Sequence, residues 1–74
     1  MQDKRAVEHY KDHEIVCVAA PDSEGWRYTV SIVGHKGDKS AVHTAKSAEI
    51  YRSEMSALQA AAAHGRRLVD NRLA

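Results

Sequence analysis

The last third of the chain, SEMSALQAAAAHGRRLVDNRLA from Ser53 to Ala74, limits the possible folds more than any other stretch. Stepping about 100° per residue from Leu58 places Met55, Leu58, Ala61, Ala62, Gly65, Leu68, Val69 and Leu73 on one broad face. Ser56, Ala60, Ala63, Arg67 and Asn71 fall opposite. The pattern predicts an amphipathic helix of roughly 20 residues, about 30 Å long. Ser53 suits the N-cap, Glu54 the positive end of the helix dipole, and Arg66, Arg67 and Arg72 the negative end. Asp70, one turn beyond Arg66, reads as its weak surface partner. Gly65 costs about 1 kcal/mol against Ala in a helix interior. Its place beside Ala61 and Ala62 on the apolar face implies close approach to the surface underneath. A helix cannot bury such a stripe alone, so the preceding residues must supply a floor.

Three extended segments supply it. HEIVCVAA, from His13 to Ala20, is short, apolar and rich in β-branched residues, which predicts a strand. Both of its parities are apolar, so either Ile15, Cys17 and Ala19 or Val16, Val18 and Ala20 can face inward. Pro21 to Gly25 is a turn signal. Trp26 to Val33 then alternates, with Trp26, Tyr28, Val30 and Ile32 on one side and Arg27, Thr29 and Ser31 on the other. The aromatic side is the expected floor for the helix. A polar loop from Gly34 to Lys39 leads into a third extended segment, from about Ser40 toward Tyr51, firm over Val42 to Lys46 and weaker after Ser47. Past Ser47 the chain either turns or starts the helix early. Residues 1–11 read as a polar N-terminal arm, because chain ends order only when tied down. The expected fold is α+β: residues 12–74 form one two-layer domain, a three-stranded antiparallel meander packed against the C-terminal helix.

Seventy-four residues allow one small domain with a marginal core. A net charge of +1 rules out a global electrostatic commitment to nucleic acid or membrane. The single cysteine, Cys17, excludes an internal disulfide framework and fits a reducing cytoplasm. No stretch reaches the roughly 20 apolar residues of a membrane span, and the first residues carry no signal-type apolar run. A cytoplasmic location is the expectation.

Five histidines raise the question of a metal. No cysteine or paired carboxylate completes a four-ligand set at zinc spacing, and scattered surface histidines are the preferred reading. Cys17 lies in the most apolar strand and reads as a buried, inert thiol, with His43 an activating base only if the sheet brings it close. GHKGDK lacks the Gly-Lys-Ser/Thr ending of a phosphate loop. These residues predict no catalytic site, no cofactor and no metal. The cations Arg27, Lys36, Lys39 and Lys46, with Thr29 and Ser31, form a modest rim for a nucleic-acid or protein contact. Stacking aromatics are missing from it, since Trp26 and Tyr28 are assigned to the core.

Three fragments, Tyr10-Lys11-Asp12-His13-Glu14-Ile15, Gly25-Trp26 and Gly65-Arg66-Arg67-Leu68-Val69-Asp70, together resemble small bacterial domains of unknown function. Those domains have a three-stranded sheet and a C-terminal helix, and the resemblance implies that fold and a bacterial origin. The element order is also similar to the latter part of a double-stranded-RNA-binding domain. Where that family starts its last helix with a lysine cluster, this chain has Ser53-Glu54-Met55-Ser56. The sheet is similar to the DNA-reading sheets of the AP2 type and of integrase arms, where Arg27, Thr29 and Ser31 would serve. The functional expectation is a small non-catalytic interaction module, binding a protein partner or a second copy through its sheet face or an edge strand. The alternative is a weak nucleic-acid binder using the basic residues of the sheet and second loop.

Overall fold

Alternating residues set the strands, and a small-residue row sets the helix upon them. The computed structural model describes residues 3–36 and 39–71, the side chains of 35–42 excepted. Four strands, β1 (Lys4–Tyr10), β2 (His13–Asp22), β3 (Gly25–Lys36) and β4 (Lys39–Lys46), precede one helix, α1 (Glu54–Asp70). The sheet is an antiparallel meander in the order β1-β2-β3-β4. The α+β class and the C-terminal helix agree with the sequence reading, but the sheet has four strands where three were expected.

The additional strand comes from the segment read as an arm. KRAVEHY looks too polar for a sheet, yet β1 pairs with β2 along its whole length, from Lys4↔Ala19 to Tyr10↔His13. Its helix-side positions are stabilised by polar partners on α1. The Arg66 guanidinium donates to both Glu8 oxygens (3.0 and 2.9 Å), while the Tyr10 hydroxyl and Lys11 ammonium donate to Asp70 (3.0 and 2.6 Å). The Arg66–Asp70 pair expected from helical spacing therefore gives way to two links across to β1. The turn into β2 is made by Lys11 (φ 47°) and Asp12 (φ 65°). Both take the left-handed conformation that a two-residue hairpin needs, without the Gly or Asn that would have signalled it.

In β2 the inward set is Ile15, Cys17 and Ala19, which resolves the parity left open by the sequence. Register pairs them with Ile32, Val30 and Tyr28 of β3. These six residues meet Ala57, Ala61, Leu68 and Val69 of the helix in one core. Trp26 is only half-buried at its margin. At Gly65 an added Cβ would lie 2.5 Å from Ile15 Cγ2 and 3.1 Å from Val30 Cγ2. The expected close approach is real. The row Ala57–Ala61–Gly65 lets the helix settle against the sheet, and the buried stripe turns from Leu58 toward this row by roughly 50°, at about 100° per residue. Met55, placed on the apolar face by periodicity, is 63% exposed as a result. Ser53 caps the helix as expected: its Oγ accepts from the Ser56 N–H (3.1 Å), and Ser56 Oγ accepts from the Ser53 N–H (3.3 Å). Arg72 and Leu73, expected on the helix, lie outside the described residues.

Candidate functional site

A four-stranded meander leaves two edges, and this fold treats them differently. On β1, four of seven residues are Lys4, Arg5, Glu8 and His9, a charged edge of the kind that discourages strand addition. The links from Glu8, Tyr10 and Lys11 to α1 also fasten this edge. On β4, the residues between Lys39 and Lys46 are Ser-Ala-Val-His-Thr-Ala, with no Asp, Glu, Lys, Arg, Pro or Gly. Among the described residues α1 lies over β3, β2 and β1 and does not reach β4, and no strand pairs with the outer side of β4. Every second residue of the eight thus turns its backbone N–H and C=O to an uncovered edge.

The end of that edge is fixed by side chains. Ser47, 8% exposed, donates its N–H to Tyr28 O (2.9 Å), and its Oγ accepts from the Tyr28 N–H (3.1 Å). Residues 48–50 then leave the sheet, and Tyr51 returns to pair with Trp26 through two backbone bonds of 2.8 and 2.7 Å. The reading that the chain turns after Ser47 is the correct one. Gly25 is required here, since a Cβ on it, at φ 157°, would run into the Tyr51 carbonyl oxygen.

Beside this corner the Tyr28 hydroxyl lies 2.7 Å from His64 Nδ1. Their rings meet edge-on at 5.8 Å, and Tyr51 packs on Tyr28 at the same separation. Burial, then the neighbouring Tyr51, raises the Tyr28 pKa and keeps its phenol protonated. Burial, then the charges of Arg67 and His43, lowers the His64 pKa. A neutral His64 accepting from a protonated Tyr28 satisfies both shifts. Burial, then Glu8, pushes the Cys17 thiol up, as expected of a buried, inert cysteine.

The rim residues read from the sequence divide between two faces. Arg27, Thr29, Ser31 and Lys46 all occupy the sheet face away from α1, with Thr29 opposite Lys46. On that face the Arg27 guanidinium is held by Asp22 (2.8 Å), and Ser31 Oγ bonds Thr44 Oγ1 (3.2 Å). Val7, Val16, Val18 and Val33 share it, and Val7 is 50% exposed. Lys36 and Lys39 are register partners at the far end of the β3–β4 hairpin, at positions of the opposite parity. Arg67 and His64, which flank the β4 corner, went unnoticed because helical spacing placed them away from the expected apolar face.

At the β1–β2 hairpin an open hollow is lined by His9, Tyr10, Lys11, Asp12, His13 and Glu14. Most of its polar groups engage one another or Asp70: His9 faces Glu14 (3.4 Å), His13 Nδ1 meets Lys11 O (2.7 Å), and Lys11 holds Asp70. Among the described residues no three His, Cys, Asp or Glu side chains are arranged to hold a metal ion, and no helix is long and apolar enough to cross a membrane. No family model, curated protein or solved structure matches the chain.

Proposed function

We propose that this protein is a small non-catalytic interaction module that binds by accepting an extended strand along β4. One observation carries the reading: β4 is an unbroken edge with no charge between its terminal lysines, beyond the reach of the helix, while β1 is charged and fastened. Edge strands that proteins leave undefended offer their backbone as the binding surface. The docked strand gains main-chain hydrogen bonds from the free edge, and its alternate side chains sample the two faces of the sheet.

The test is a phage selection of extended peptides on the full chain, followed by amide exchange of the labelled protein with a selected peptide. In an antiparallel edge every second N–H points outward. Strand addition therefore slows exchange at alternate residues within Lys39–Lys46 and leaves Lys4–Tyr10 unchanged. Protection along β1, or shifts confined to the valines of the open face, would reject the β4 reading.

A further inference from the structure

We infer that the strand accepted by β4 is an acidic segment, one that alternates Asp or Glu with β-branched residues. This rests on the strand-addition reading and names the chemistry of the partner. The β4 sequence, KSAVHTAK, ends in lysines, carries His43 at its centre and contains no acid. On the open face Lys46 is exposed, and its register partner is the uncharged Thr29. On the helix side Arg67 is exposed, and it takes part in none of the ion pairs among the described side chains.

Elsewhere among the described side chains Lys4 and Arg5 also enter no ion pair, but they share β1 with Glu8, and Arg52 stands two residues from Glu54; the remaining described cations are matched. Lys11 is paired with Asp70, Arg27 with Asp22 and Arg66 with Glu8, all outside β4. Positive charge is thus left uncompensated on both sides of one free edge. A strand laid there sends alternate side chains to the two faces, so carboxylates of one parity lie on the side of His43 and of the helix that carries Arg67, and those of the other meet Lys46. Glu49 stands beyond Ser47, in the segment that leaves the sheet, and so limits the acidic stretch to the span of β4 itself. A second copy is a poorer occupant, because β4 against β4 sets two acid-free basic strands side by side. Nucleic acid is poorer still. It makes no use of a backbone edge, and among the described residues the open face has no Phe, Tyr or Trp for stacking.

The experiment titrates the labelled full chain with a peptide alternating Val and Glu, its Gln isostere, its Lys counterpart and oligothymidylate, with mass measured in parallel. The Glu peptide should shift Lys39–Lys46 amides and bind about tenfold more tightly than the Gln peptide at low salt, as expected when two or three exposed ion pairs add. The advantage should shrink with added salt and in the Arg67→Gln/Lys46→Gln variant, both residues being exposed. Equal binding of the Glu and Gln peptides at β4 would overturn the acidic partner and leave strand addition standing. Shifts from no peptide at β4 would overturn both. Binding of oligothymidylate alone, or a dimer mass with β4 amides already protected, would overturn the inference in favour of those occupants.

Discussion

Gly65 occupies the point where α1 comes nearest to the sheet, and its missing side chain allows that contact. Its replacement by Ala gains up to about 1 kcal/mol of helix propensity. Against this, the new Cβ would sit 2.5 Å from a branch of Ile15 that cannot swing aside without disturbing Ile32 and Val30. Overpacking of this kind costs about 1–3 kcal/mol. Gly65→Ala should therefore lower the unfolding free energy, and a denaturant titration showing a gain would contradict the close approach. His64 gives a second prediction at this scale. Its pKa is lower in the folded protein, chiefly through burial, so the unfolded chain takes up the proton more readily. Stability is then undiminished above about pH 6.5 and declines as pH falls through the interval between the unfolded and folded values. Protonation also obliges Tyr28 to change from donor to acceptor. Unfolding measured from pH 7.5 to 5 should show this slope, and His64→Gln should flatten it. An unchanged slope in the variant would assign the dependence to other groups.

At the level of elements, β1 differs from its neighbours in how it is held. It contributes none of the buried apolar residues of the core and is fastened by hydrogen bonds to β2 and by Glu8, Tyr10 and Lys11 to α1. Asp70→Asn removes the charge that binds Lys11 and weakens the bond from Tyr10. Exposed pairs contribute at most about 1 kcal/mol, so global stability should fall little. Amide exchange over Lys4–Tyr10 should quicken well before that of β2 or β3, as expected of the least stable cooperative unit. Uniform quickening of all strands would show that β1 is no separate unit. The same strand marks the limit of what the sequence reveals. Strand β3 was legible because burial writes apolar residues at period two, β2 because its run is short, apolar and β-branched, and α1 because its apolar stripe, Ser53 and the small-residue row announce it. Strand β1 was not, because its inward positions are polar and their partners lie about sixty residues away on the helix. Its turn uses Lys11 and Asp12 where a Gly would have been readable. The β4 corner was hidden for a related reason: His64 meets Tyr28 only because the buried stripe of the helix is turned toward Gly65.

The whole molecule is layered on one side only. Ile15 is fully buried beneath the helix, whereas Val7, on the other face of the sheet, is half exposed. Ile15→Ala should cost about 2–5 kcal/mol, and Val7→Thr should stay within about 0.5 kcal/mol, as surface changes do. Comparable losses at both sites, read by thermal or chemical unfolding, would mean that the uncovered face is packed in solution. Charge is distributed unevenly too: among the described side chains the ion pairs lie at β1, its hairpin, the helix end and the β2–β3 turn, and β4 carries basic residues and no acid. The polar first strand has one more consequence. It lies along EIVCVAA, the most apolar run in the chain, and closes its backbone from water and from other molecules. Were β1 to peel away, that run would become a bare template of high β-propensity, the kind of segment that seeds amyloid. The hydrogen bonds and ion pairs that hold Lys4–Tyr10 thus also shield that run from the strands of other molecules.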